Sequence, residues 1–278
     1  MASLRRILLA TDLEPKSDRA MERAVQLARQ SGAELTTLHV VHGTDGPYAH
    51  LPLHHVEMEL RRHLLAIPGA AGLTTQEVAV RGGAVDSRIA GYAGLWQPDL
   101  VVAGAHARDQ LADLFLPATV ERIAVADETP LLVVRDKPLG PYTRALVPVD
   151  FSERSRASIE AARRLLPAGG LHLLHLLDLP PVTSAGANLA AEFAADFDRL
   201  LGADAPGDLA VTREVRIGAL VPEIVRAARL GRYDLVAMGS ARRDGLIRVL
   251  LGSVAQDVLA ELPCDALITG ALSGVRRR

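Results

Sequence analysis

The same run of landmarks occurs twice in this chain, in the same order. Arg6-Ile-Leu-Leu-Ala-Thr-Asp12 is echoed by Arg144-Ala-Leu-Val-Pro-Val-Asp150, at an offset of 138 residues. Val80-Arg-Gly-Gly-Ala84 corresponds to Val215-Arg-Ile-Gly-Ala219, and Pro98-Asp-Leu-Val-Val-Ala-Gly104 to Tyr233-Asp-Leu-Val-Ala-Met-Gly239, both at an offset of 135. The three-residue difference falls in mid-unit, between Gly43 and Gly72 in one copy and between Leu179 and Gly207 in the other, where a loop absorbs an insertion. A repeat of this length obliges the 278 residues to build one supersecondary unit twice, and each unit then has an ordinary domain size. We therefore expect domains over 1–137 and 143–272. The linker Arg135-Asp-Lys-Pro-Leu-Gly-Pro-Tyr-Thr143 carries two prolines and a glycine, which exclude continuous helix or central strand.

Within each copy, short leucine- and valine-rich runs alternate with longer stretches of helical period, the pattern of a parallel sheet covered by helices. In the first copy strands are predicted near 5–11, 34–41, 74–80, 99–104 and 130–135. Ala20, Ala24, Leu27 and Ala28 recur at helical spacing, as do Ile159, Ala162, Leu165 and Leu166, so the first helix of each copy lays an apolar stripe on its sheet. Ser17 and Ser152 are the expected N-caps. The fold class is thus α/β: two tandem doubly wound domains, each an open five-stranded parallel sheet flanked by helices, with the ligand crevice at the strand C-termini.

Composition narrows the function classes. With 49% hydrophobic and 23% charged residues the chain can bury two cores, and a formal net charge of −2 supplies no global field to draw in nucleic acid or an anionic membrane. Cys264 is the single cysteine, so an intramolecular disulfide is excluded and a reducing, cytoplasmic setting is expected. The apolar run before Thr11 is only four residues long, too short for a signal peptide or a membrane span.

The most informative segment is Met238-Gly-Ser-Ala-Arg-Arg-Asp-Gly-Leu-Ile-Arg-Val-Leu-Leu-Gly-Ser-Val254, which follows a strand and opens a helix. Gly239 lets the backbone turn at the strand end, and Gly252-Ser253 would start the next helix with free N–H groups suited to an anion. Arg242, Arg243 and Arg248 could add charge against a polyphosphate. On these residues the chain resembles a tandem universal stress protein of the adenine-binding α/β superfamily, over nearly its whole length. Nucleotide-binding members of that family carry G-x2-G-x9-G-[ST]. Gly239, Gly252 and Ser253 fall in that register, followed by Val254, and Arg242 replaces the second glycine. The resemblance further implies that Asp150 contacts the adenine or ribose, that Val149 and Leu176 or Leu177 line the base pocket, and that Gly218 makes the turn into the third helix. The ligand implied is ATP or another adenine nucleotide, with Mg2+ as a companion of its phosphates. The fifth strands, Thr129 to Arg135 and Cys264 to Thr269, would by the same resemblance join the domains as an internal pseudo-dimer, with pairing of two chains as a further option.

The first copy departs from this pattern. It keeps Asp12 and Gly104, but reads Gly104-Ala-His-Ala107 and then Pro117-Ala118 where the Gly-Ser pair should stand. Proline lacks an N–H and alanine a hydroxyl, so this copy is expected to be a degenerate partner. His106 could contact a ligand there or plug the crevice.

Plainer readings compete at every position. The glycines serve turns, Ser253 caps a helix, and Asp12 and Asp150 cap loops after a first strand whether or not a ligand is bound. His50, His54 and His55 cluster without a paired carboxylate or cysteine nearby, which favours solvated histidines over a metal site. His172 and His175 alternate with leucines as half-buried strand residues, and Cys264 reads as a small buried apolar side chain. Leu189, Phe193, Phe197, Leu200 and Leu201 form a helical stripe for core packing, or for a groove taking an apolar ligand. Since no catalytic triad order, P-loop lysine or complete metal set can be assembled, binding is favoured over catalysis, with ATP hydrolysis at most incidental. The expected function is a stress-response sensor binding an adenine nucleotide in its C-terminal domain. The rival is an interaction module without nucleotide, presenting its paired domains to a protein or apolar ligand.

Overall fold

A computed structural model describes residues 3–42, 46–105, 129–178, 189–202, 209–239 and 253–270. The chain divides between Pro141 and Tyr142 into two compact units.

In the first unit the strands are β1 (Arg6–Ala10), β2 (Glu34–Val41), β3 (Thr75–Arg81), β4 (Leu100–Gly104) and β5 (Leu131–Val134), with helices α1 (Asp18–Ser31), α2 (Leu53–Ala66) and α3 (Val85–Trp96) among them. All pairings are parallel and the order is β3-β2-β1-β4-β5. The second unit contains β6 (Arg144–Val149), α4 (Glu153–Leu165), β7 (Gly169–Leu177), α5 (Leu189–Glu192), α6 (Ala194–Leu201), β8 (Leu209–Ile217), α7 (Leu220–Leu230), β9 (Leu235–Gly239), α8 (Ser253–Glu261) and β10 (Asp265–Thr269). Its order, β8-β7-β6-β9-β10, repeats the first, again all parallel. Two tandem open five-stranded sheets are what the alternating runs demanded, and the central strands read as unbroken apolar segments because both faces are covered. β1 is buried from Ile7 to Ala10, β5 and β10 throughout.

The expected stripe on α1 is buried at Ala20, Ala24, Leu27 and Ala28, and that on α4 at Ile159, Ala162 and Leu165, with Leu166 buried just beyond the helix. At the opposite end of each sheet a repeated aspartate ties the first strand down. Asp99 accepts the N–H groups of Arg5 and Arg6, and Asp234 those of Thr143 and Arg144.

Two expectations need correction. Ser17 stands before α1 but does not cap it with its side chain, because its hydroxyl donates instead to Asp12 Oδ1 and a short 3-10 turn, Pro15–Ser17, leads into the helix. The stripe from Leu189 to Leu201 is not one helix: it breaks at Phe193 into α5 and α6, and only Phe197, Leu200 and Leu201 are buried. Ser152, by contrast, caps α4, its hydroxyl accepting from the Ser155 N–H.

Candidate crevice at the strand C-termini

In the second unit the chain runs outward from β6 to β7 and β8, then crosses back to β9 and β10. β6 therefore has neighbours reached by connections leaving in opposite directions, and the space beyond the C-termini of β6 and β9 is where an open parallel sheet leaves a crevice. Val149 and Asp150 stand at one lip and Gly239 at the other, while α8 begins at Ser253 after β9.

Asp150 is held by the turn into α4. Its Oδ1 accepts the Ser152 N–H at 3.1 Å, the Ser155 hydroxyl at 2.7 Å and the Ser152 hydroxyl, while its own N–H donates to Ser155 Oγ at 3.0 Å. Partial burial pushes this carboxyl upward. The donors from Ser152 and Ser155, helped by the charge of Arg154, outweigh that, and the group lies below the ordinary carboxylate value. Asp150 is thus an anion whose Oδ2, among the described residues, accepts no hydrogen bond. The intervening residue Phe151 adopts a left-handed conformation, φ 61°, which a phenylalanine takes only where its surroundings impose it.

At the other lip Gly239 is required by close approach. A Cβ built there would lie 2.8 Å from Arg154 Cβ, so the missing side chain is what lets the first turn of α4 meet the end of β9. Behind it the buried hydroxyls of Ser158 and Thr269 are 2.8 Å apart. Val149 and Leu176 are both buried, and Gly218 closes β8 at φ 156° immediately before α7. Val254 is on the exposed side of the first turn of α8. Arg242 and Gly252 lie outside the described residues, as do His106, Pro117 and Ala118 of the first copy.

The first unit has the same frame with different fittings. Asp12 Oδ1 accepts the Glu14 N–H at 2.9 Å and the Ser17 hydroxyl at 2.6 Å, and Leu13 is left-handed at φ 62°, as Phe151 is. Here the second carboxylate oxygen is occupied, since Lys16 Nζ lies 3.5 Å from Asp12 Oδ2 and 2.9 Å from Glu14 Oε2. Leu13 is packed with Val41, Val56, Leu60 and Ala79, and Tyr48 and Leu53 lie against them.

Sequence reasoning missed a second repeated element. His39 Nδ1–H donates to the Thr11 carbonyl at 2.9 Å, and His175 Nδ1–H to the Val149 carbonyl at 2.8 Å, each stitching the second strand to the end of the first. The signal was present, because both histidines sit in the second strand of their copy. His175 is half-buried, as expected, and so is His172, which sits 2.9 Å from Glu214 on β8. His54 and His55 are exposed on the first turn of α2 with ring centroids 4.2 Å apart, and no group of metal-ligating side chains is assembled among the described residues. No helix among those residues is long and apolar enough to cross a membrane.

Comparison with known proteins agrees with this frame. The sequence model of the universal stress protein family matches residues 3–135 and again 141–270. The chain belongs to the universal stress protein family. Universal stress protein MJ0531 of Methanocaldococcus jannaschii is 26% identical over 141 residues, 46% of this chain and 81% of that protein. Among solved structures, a universal stress protein of Archaeoglobus fulgidus is similar with a TM-score of 0.69 and 18% identity, covering 96% of this chain and 98% of its own. PA1789 of Pseudomonas aeruginosa PAO1, described as functionally unknown, gives a TM-score of 0.65 at 18% identity, covering 96% and 93%. At these identities the structural likeness speaks for the fold alone.

Proposed function

We propose that this universal stress protein binds ATP or a related adenine nucleotide in the crevice of its second domain and acts as a stress-responsive sensor rather than a catalyst. The observation that carries the reading is the convergence of Asp150, Gly239 and the start of α8 at the switch point between β6 and β9. Asp150 Oδ2, which accepts no hydrogen bond among the described residues, is a ready acceptor for ribose hydroxyls or an exocyclic amine. The nine-residue helix α8 opens there, and the start of any helix presents backbone N–H groups without intrahelical partners and the positive end of the dipole, which favour a phosphate. Gly252, Ser253 and Arg242 would complete the phosphate side, Val149, Leu176 and Val254 the walls, and Gly218 the turn beyond. Mg2+ would accompany a polyphosphate. We assign domains to 1–137 and 143–272, the first with a degenerate crevice. The lysine already paired with Asp12 supports that asymmetry, because a ligand there must displace an ion pair before it can use the carboxylate.

Calorimetric titration of ATP into the full chain tests the proposal, with Gly252→Asp and Gly104→Asp as paired variants. Binding by the parent and by Gly104→Asp, and its loss in Gly252→Asp, is the expected result. No heat at millimolar ATP would leave the chain as an interaction module, and loss confined to Gly104→Asp would move the site to the first domain.

A further inference from the structure

The second unit collects aromatic rings where a leucine- and valine-built core does not need them. Aromatic residues are 3% of the chain and phenylalanines number four, yet three of those four meet at the C-terminal ends of β6 and β7. Phe151 and Phe193 lie nearly parallel, 5° between planes and 5.9 Å between centroids. His175 touches both, at 4.5 Å and 4.9 Å, and Phe197 meets Phe151 edge-on at 5.1 Å. Phe197 is fully buried and supports the group from below, whereas Phe151, His175 and Phe193 remain half-exposed.

Each half-exposed ring is placed by a local constraint. Phe151 is aimed by its left-handed backbone, Phe193 by the break between α5 and α6, and His175 by its bond to the Val149 carbonyl. The left-handed turn and the histidine bond recur in the first unit at Leu13 and His39, so what is particular to the second unit is that half-exposed rings occupy these positions, one residue beyond Asp150. In the first unit the corresponding left-handed residue is the aliphatic Leu13, buried with Val41, Val56, Leu60 and Ala79, and one ring, Tyr48, lies against that cluster and meets His39 edge-on at 5.3 Å.

We propose that Phe151, His175 and Phe193 form a stacking platform for the planar heteroaromatic base of the ligand, with Phe193 as its outer face. This inference rests on the nucleotide reading above and adds what that reading leaves out: base recognition by an aromatic surface rather than by the aliphatic walls alone. Stacking is strong and tolerant of base identity, since every base presents a π-face. The platform therefore predicts that affinity depends on the presence of a base more than on which base it is.

The experiment is calorimetry on the full chain with two probes, ATP and inorganic tripolyphosphate, using the parent, Phe193→Ala and Phe193→Tyr. Circular dichroism confirms that each variant is folded. Phe193→Ala should weaken ATP by roughly 5- to 150-fold, leave tripolyphosphate unchanged, and be rescued by Phe193→Tyr. Equal ATP affinity in the parent and Phe193→Ala overturns the platform alone. A matching loss for tripolyphosphate also overturns it, by showing a general distortion. Failure of the parent to bind ATP overturns the nucleotide reading and the platform together.

Discussion

Gly104 and Gly239 occupy the same place in the repeat, at the end of the fourth strand of each copy, yet their surroundings predict opposite responses to alanine. At Gly239 the added Cβ would sit 2.8 Å from Arg154 Cβ and 3.6 Å from the Arg154 backbone. A comfortable carbon–carbon separation is about 3.5–4.0 Å, so the pair must part by close to 1 Å. Arg154 Cβ is fixed to the first turn of α4, so the helix start or the strand end has to move, at about 1–3 kcal/mol. At Gly104 the nearest atoms among the described residues are Ser17 Cα and Oγ at 3.6 Å, ordinary contact, and the backbone is not left-handed at either glycine. There alanine loses nothing in the fold and restricts the unfolded chain, for a gain of about 0.4–1 kcal/mol. Urea unfolding followed by circular dichroism should place the Gly239→Ala transition of the second unit well below the parent and Gly104→Ala at or above it. Trp96, the one tryptophan, reports the first unit by fluorescence and separates the two transitions, which a chain of two domains need not make together. If Gly239→Ala unfolds with the parent, or Gly104→Ala costs more, close approach is not why a glycine stands at the crevice.

Two further outcomes follow from buried polar groups. Burial pushes the His39 imidazole below its ordinary value, and the bond to the Thr11 carbonyl offsets this only in part. The unfolded chain then takes up a proton at a higher pH than the folded one, so stability of the first unit falls as pH drops below about 6.5. Urea midpoints between pH 8 and pH 5 should show this loss and should flatten in His39→Gln; an unchanged slope in the variant would assign the effect elsewhere. The Tyr142 hydroxyl donates to Asp265 Oδ2 at 2.6 Å with both residues wholly buried. Tyr142→Phe removes that donor and should destabilise the second unit by about 1–3 kcal/mol, measured as a fall in its thermal midpoint.

Much of this protein could be read from its sequence alone. The duplicated landmarks determined that one α/β unit is built twice, and the apolar runs located the strands, with 34–41 reproduced as Glu34–Val41 and the others displaced by a residue or so at their ends. These readings succeed because period and turn chemistry are local properties. The contrast of Gly252-Ser253 with Pro117-Ala118 is likewise a matter of sequence. What only the tertiary structure decided is which partner each side chain meets, whether a few residues away or far along the chain. Ser17 became a ligand of Asp12 rather than a cap because a 3-10 turn brings its hydroxyl back to the strand end. The predicted single helix parted at Phe193, whose ring stacks on Phe151 from more than forty residues away. Periodicity reports which side of an element is apolar, but not which ring, carbonyl or carboxylate another element will place against it. That depends on β6 lying between β7 and β9, an arrangement set by the packing of the whole sheet.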